Sequence, residues 1–293
     1  MPLLNELSDN QLLRLVDRID REELANGVSI RNRGFAVTRR VISECGGVFI
    51  LGADRNPDVE RVRAAHRAFY RSHDTGVGAV NTGVAVHLDI FFRVHLPMVF
   101  GEICVDPFGW TDMTDMQKAR LAAVEGEAQE VLQQIIDVID IGSTLGRFEG
   151  FQKPPEVASP YFSMAAFHNQ AAAAICTSAF DLRGAIMSSL LCAELAAKSL
   201  ALASGTSKER LERKIGHHLQ KLRPDLERLG SFDTEAFLAL AKKLPNFVQS
   251  RYAERRWSRS ECAEVVLAAQ KMLAMTARHF AQNTFANSVI QQQ

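Results

Sequence analysis

The sequence predicts a mainly α protein: an antiparallel helical bundle over residues 155–285, preceded by an N-terminal domain, residues 1–150, that is either α+β or mostly helical. Three observations carry this. Apolar residues recur at helical spacing behind recognisable caps, the links between the later helices are short, and the Gly-, Pro- and Ser-rich stretch "GSTLGRFEGFQKPPEVASP" separates the two halves.

In the first half, "LSDNQLLRLVDRID" places Ser8 and Gln11 in capping-box register ahead of Leu12, Leu13, Leu15, Val16 and Ile19, which predicts a first helix. In "RNPDVERVRAAHRAFYRSH", Asn56 caps, Pro57 suits the first helical position, and Asp58 and Glu60 complement the helix dipole. Between them the run "GGVFILG" reads equally as a buried strand or a helix end. From Gly83 the period changes to two, with Val84, Val86, Leu88, Ile90, Phe92, Val94, Leu96, Met98 and Phe100 in one register. His87, Asp89, Arg93 and His95 fall in the other. The run is too long for one strand and contains Pro97, so a bend, two strands or a helix stay open. The segment "TDMQKARLAAVEGEAQEVLQQIIDVID", capped by Thr114 with Gln117, predicts one long amphipathic helix.

The second half is read as helices throughout. Ser159 and Pro160 open "YFSMAAFHNQAAAAICTSAF", and Ser204 with Gly205 closes "DLRGAIMSSLLCAELAAKSLALA". Thr206 and Glu209 are in register to cap a helix carrying "RKIGHHLQKL", which ends before Pro224. Asp233 or Thr234 starts "EAFLALAKKL", and Ser258 with Glu261 caps "CAEVVLAAQKMLAMTARHFAQ".

Of the 293 residues, 47% are hydrophobic and 23% charged, a balance suited to a globular protein with a sizeable core. Formal charge is zero, 34 basic against 34 acidic residues, so attraction to nucleic acid has to come from a local patch. Five cysteines without CxxC spacing fit reduced thiols rather than a disulfide framework or zinc site. The start "MPLLNELSDNQ" has neither the basic region nor the apolar run of a signal peptide, and no transmembrane-length run follows, so a cytoplasmic location without membrane partners is expected.

Three stretches have residue types suited to chemistry. His87, Asp89, Arg93 and His95 would share one strand face, either as a metal or phosphate site or as the wet side of a half-buried sheet. "RYAERRWSR" mixes Arg251, Arg255, Arg256 and Arg259 with Tyr252 and Trp257, which suits base stacking as well as a charged interhelical loop. In "RKIGHHLQKL", Arg213 precedes His218 with four residues between them, and Arg210 precedes His217 with six. On a helix such spacing lets a guanidinium steady a phosphate while an imidazole moves a proton. It equally fits a solvated basic face, and Arg61 with His66 has the same spacing.

The succession "CAELAAKSLALASGTSKERLERKIGHHLQKL", "LAKKLPNFVQSRYAER" and a last Ala-rich helix resembles the HEPN family of helical nucleotide-binding domains. Glu194 and Lys198 match its A-E-x-x-x-K pattern, the histidine pair His217–His218 with Leu219 falls at its His-x-Leu, and Arg251 and Tyr252 match its Arg-Tyr. Where the family often reads Gly-His-Asp-Leu this chain reads "GHHL", so His217 or His218 fills the histidine position, and "RYAER" lacks the usual proline. The resemblance implies a nucleotide- or RNA-binding regulatory module of a stress or defence system, without cofactor or metal. Lys198, Arg251, Tyr252 and Arg255 would contact ligand, and the chain would act as a homodimer whose basic residues share a cleft. A protein partner would be engaged through the N-terminal domain. The alternative is a metal-independent endoribonuclease using Arg213, His218 and His217.

Overall fold

In a computed structural model, which describes residues 3–49, 56–71, 79–98, 105–146, 154–247, 250, 256–281 and 284–286, the chain is mainly helical with one small two-stranded sheet. It divides into two compact units, Met1–Gly78 and Ala79–Gln293. The segment expected to link two domains near residue 150 falls inside the second unit.

The first unit holds α1 (Asp9–Ala25), α2 (Ile30–Glu44) and α3 (Pro57–Arg67). Ser8 and Gln11 form the expected capping box, and the Asn56 side chain accepts from the Asp58 N–H with Pro57 behind it. Leu12, Val16, Ile19, Val37, Val41 and Val62 form its core. One polar cluster is enclosed with them: Asp20 accepts from His66 Nε2 at 3.0 Å and from the Tyr70 hydroxyl, and the Arg33 guanidinium lies 3.5 Å away. Of "GGVFILG", residues 50–52 lie outside those described.

The second unit starts with the hairpin β1 (Ala79–His87) and β2 (Ile90–Pro97), which resolves the long alternating run into two antiparallel strands. The reversal occurs at Leu88 and Asp89, with Leu88 at φ 58. That two-residue turn inverts the parity of the pattern. His87 pairs with Ile90 while Arg93 pairs with Val84 and His95 with Thr82, so His87 stands on the opposite face from Arg93 and His95. Both faces are packed over most of their length, with His95 exposed at one end. Ala85, Phe92, Val94 and Leu96 pack on Ile135, Val138 and Ile139, and Val84, Val86 and Phe91 pack on Ala172, Ile186 and Val266.

The expected single helix after Thr114 is two: α4 (Asp115–Ala122), with the Thr114–Gln117 box in place, and α5 (Glu127–Gly146). The break falls at Gly126, whose φ of 87 no continuing helix allows. Among the described residues the longer helices that follow are α6 (Ser159–Ser178), α7 (Arg183–Ala203), α8 (Thr234–Lys243) and α9 (Arg259–Phe280), with only short helical turns between α7 and α8. Asp233 caps α8, the Ser258–Glu261 box caps α9, and α7 ends at Ser204 and Gly205, the latter at φ 90. Ser159 is the first residue of α6 rather than a bonded cap. Phe162, Leu200, Phe237, Met272 and Leu273 form their shared core, which also takes in Ile141 of α5.

The helices are fastened to the hairpin by glutamines. Gln270 of α9 accepts from the Val84 N–H at 3.0 Å and donates to the Val84 carbonyl at 2.8 Å. Gln134 of α5 does the same at Val86, at 2.6 and 3.2 Å. Val84 and Val86 are the β1 residues whose backbone groups point away from β2, so the two amides replace a third strand. Gly83 makes the approach feasible, since a Cβ there would come within 2.4 Å of Val138 and 2.6 Å of Gln270 Oε1. Beneath this layer Arg278 of α9 binds Asp137 and Asp140 of α5, at 2.7 Å each, and burial pushes both carboxyls upward against its attraction. Residues 79–146 are thus bound into the same unit as the later helices.

Among the described residues α7 is the one helix long and apolar enough to cross a membrane, and 72% of its most apolar window is buried in the protein.

Candidate functional site

Helix α7 is apolar along nearly all of its length, and past Arg183 its charged residues are Glu194 and Lys198, one turn apart. Lys198 Nζ donates to Glu194 Oε1 at 2.6 Å, and both side chains are mostly buried. After α7, the Ser207 side chain, not Thr206, accepts from the Arg210 N–H and starts a short helical turn, Lys208–Arg210. Thr206 instead donates to the buried Asp225 at 2.8 Å, which also takes Arg210 at 3.1 Å and Arg228 at 2.7 Å. The turn widens to a π-type turn over Leu211–Ile215 and stops at Gly216, whose φ of 55 and ψ of −124 require glycine.

The paired histidines therefore lie beyond the helix, not within it as the sequence pattern predicts. Reversal at Gly216 returns His217 to α7, where its Nδ1–H donates to Glu194 Oε2 at 2.6 Å. One carboxylate thus holds an ammonium on one oxygen and an imidazole on the other. The His217 ring also stacks on Phe247, centroids 4.4 Å apart and planes 10° from parallel. Glu194, His217 and Phe247 line one wall of a cleft of about 240 Å³, with Leu190, His218 and Gln220 around it.

The residues singled out from the sequence divide as follows. His217 and His218 both face the cleft; His217 is held, whereas the exposed His218 has no side-chain hydrogen bond among the described residues. Lys198 is tied to Glu194 and does not line the cleft. Arg213 is 77% exposed, paired with Glu209 at 2.9 Å, and outside the lining. Arg251, Tyr252 and Arg255 lie outside the described residues. Arg259 donates to the Asp89 carbonyl at 2.8 Å and lies over the Phe91 ring, while Trp257 packs into the hairpin core. The His87, Asp89, Arg93 and His95 set is dispersed: His87 bonds Glu127 at 2.7 Å, Arg93 bonds Thr177 and Ser178, and His95 meets Thr82 at 3.3 Å. Among the described residues no group of three or more His, Cys, Asp or Glu is placed to hold a metal ion.

Two residues of the site were given no site role from the sequence: Glu194, named only as half of the A-E-x-x-x-K match, and Phe247. Glu194 is its centre, and the signal was present in a Glu–Lys pair at i, i+4 on an otherwise apolar helix. Nothing in "LPNFVQ" distinguishes Phe247 as the stacking partner.

Comparison of the chain with protein-family models, with curated proteins and with solved structures finds no match.

Proposed function

We propose that residues from about 155 onward form a HEPN-like bundle whose cleft beside α7 binds a nucleotide or an RNA end, making the protein a binding or regulatory module. The observation that supports this is the convergence of Glu194, Lys198 and His217 on one carboxylate-centred contact at the cleft wall. The 2.6 Å bond to Glu194 fixes the Nδ1–H tautomer and turns Nε2 away from the carboxylate. A ring so held and backed by Phe247 can accept a hydrogen bond from a base or ribose hydroxyl, or donate one to a phosphate when protonated, with little side-chain entropy left to lose. His218 adds a second imidazole on the same cleft.

The endoribonuclease reading draws on the same Glu194–His217 pair, since a carboxylate-oriented imidazole is the arrangement a general base needs. In that reaction the imidazole takes the proton of a ribose 2′-hydroxyl. The 2′-oxygen bonds to phosphorus, the bond to the 5′-oxygen breaks as that oxygen takes a proton from the second imidazole, His218, and a 2′,3′-cyclic phosphate and a 5′-hydroxyl remain. Arg213 would have to leave Glu209 to steady the phosphorane, which makes binding without cleavage the better-supported reading.

Titration of fluorescent ATP and of a short single-stranded RNA into the full chain, with and without EDTA, tests both. Saturable binding that weakens in His217→Ala without RNA cleavage supports the module. Cyclic phosphate formed in EDTA and lost in His217→Ala supports the enzyme. No binding and no cleavage refutes both.

A further inference from the structure

Helix α6 has no Asp, Glu, Lys or Arg in its 20 residues, and most of its exposed positions, like its core-facing ones, carry apolar side chains. Its buried side carries Phe162, Ala165, Ala166, Ala172, Ala173 and Cys176. Along the outer side Pro160, Met164, Phe167, Ala171, Ala174 and Ser178 are all exposed, and their spacing of four, three, four, three and four is an unbroken heptad seam. Val157 continues it by three residues before the helix. Exposure is 45% at Val157, 48% at Met164 and 57% at Phe167, and Phe180 just past the helix end is fully exposed. A helix apolar all round is ordinarily buried all round. The seam runs the length of the helix, about 30 Å at 1.5 Å per residue.

We infer that the outer seam of α6 pairs with the same seam of a second copy of this chain, antiparallel about a two-fold axis. Self-pairing follows from the seam's own sequence. Its large residues, Met164 and Phe167, lie in the N-terminal half and its small ones, Ala171 and Ala174, in the C-terminal half. Antiparallel packing centred near residue 169 seats Met164 against Ala174 and Phe167 against Ala171 of the other copy, large into small along the seam. A parallel pair would crowd large on large and leave voids between alanines. Flanking positions on the seam, including Ser163, His168, Gln170 and Ile175, present no charge that two identical faces would set against itself. The ends are complementary as well. Exposed Glu156 precedes the N-terminus, Arg93 is anchored on Thr177 and Ser178 at the C-terminus, and Asp181 is already paired with Arg183. Antiparallel pairing brings opposite ends together. This seam contains no Lys or Arg, so the pairing differs from the one the family resemblance implies, in which basic residues of two copies share a cleft. It is independent of the ligand reading.

Sedimentation of the full chain at micromolar concentrations should show a dimer. Phe167→Glu should weaken dimerisation by about thirtyfold or more, the scale of losing one buried anchor, with the helical circular dichroism and melting temperature of the monomer unchanged. For register, Met164→Cys and Ala174→Cys proteins are oxidised separately and mixed. The mixture should cross-link and neither protein alone should, because like positions lie ten residues apart, about 15 Å. A monomeric wild type, an undiminished Phe167→Glu dimer, or cross-links between like positions would each overturn the proposal. So would a monomer whose Phe167 is shielded from hydroxyl-radical oxidation, which would give the seam another occupant.

Discussion

Glu194 and His217, 23 positions apart in the chain, are joined by a 2.6 Å bond that exists because Gly216 reverses the backbone between them. Glu194→Gln keeps the shape and removes the charge that holds both His217 and Lys198. The expected loss is about 1–3 kcal/mol of stability, the range for a charge-assisted contact, together with weaker ligand binding. Urea denaturation and the binding titration check the two parts. A variant as stable as wild type would show that the pair is not energetically coupled.

Gln270 is the second test of a long-range contact. Gln270→Met keeps the volume but strands the Val84 N–H and carbonyl in the core, at a cost of about 1–3 kcal/mol for each unsatisfied group. Chemical denaturation measures it, and slower loss of the Val84 amide proton to deuterium in the variant would contradict it.

At the hairpin turn, Leu88 is 57% exposed and held at φ 58. A left-handed conformation costs an ordinary residue about 1–2 kcal/mol, and asparagine tolerates it. Leu88→Asn is expected to raise the thermal midpoint. An unchanged or lower midpoint would mean that the leucine side chain contributes more than its exposure indicates.

Burial lowers the pKa of His279, and burial together with the nearby Arg93 lowers that of His95. In both cases the unfolded chain takes up the proton more readily, so their contribution to stability is complete above the unfolded value of about 6.5 and is lost as pH falls through the lower folded values. Asp137 and Asp140, whose pKa values are raised, act in the opposite sense, so the informative quantity is a difference. His279→Phe should lose less stability than wild type between neutral and mildly acidic pH in matched urea titrations.

Burial pushes the Cys176 thiol up to about 12 and Cys262 up to about 11. Iodoacetamide at mildly alkaline pH should leave both unmodified in the folded chain and alkylate both in guanidinium, as read by peptide mass spectrometry.

The parts of this structure that were legible in the sequence are those governed by local hydrogen bonding. Ser8 with Gln11, Thr114 with Gln117, and Ser258 with Glu261 each satisfy one helix end within four residues, so the text contains the whole interaction. Features set by chain reversal were not. Leucine is no turn signal, so the reversal at Leu88 and Asp89 was hidden inside a continuous alternation, and with it the face on which His87 stands. Gly126 and Gly216 fall inside segments of helical periodicity, and only their positive φ values reveal that the helices end there. Of the candidate site, the residue types of Lys198 and the two histidines were readable, but the carboxylate that joins them, Glu194, lies one turn from Lys198 on α7 and 23 positions before His217, so its contact with the imidazole depends on the chain reversal at Gly216.

The amides of Gln134 and Gln270 on one side of the hairpin have a counterpart on the other, where Asp112 takes both backbone groups of Arg93 and Thr111 bridges to Val94. A two-stranded sheet with both borders occupied in this way has a fixed size. An incoming extended segment, whether a peptide or a strand of a neighbouring copy, would have to displace the glutamines of two long helices on one border, or Asp112 and Thr111 on the other, before finding a free donor or acceptor. Growth by strand addition, the common route to fibrils and swapped dimers, is therefore closed at the middle of this hairpin, and encounters with other molecules are left to the helices and loops.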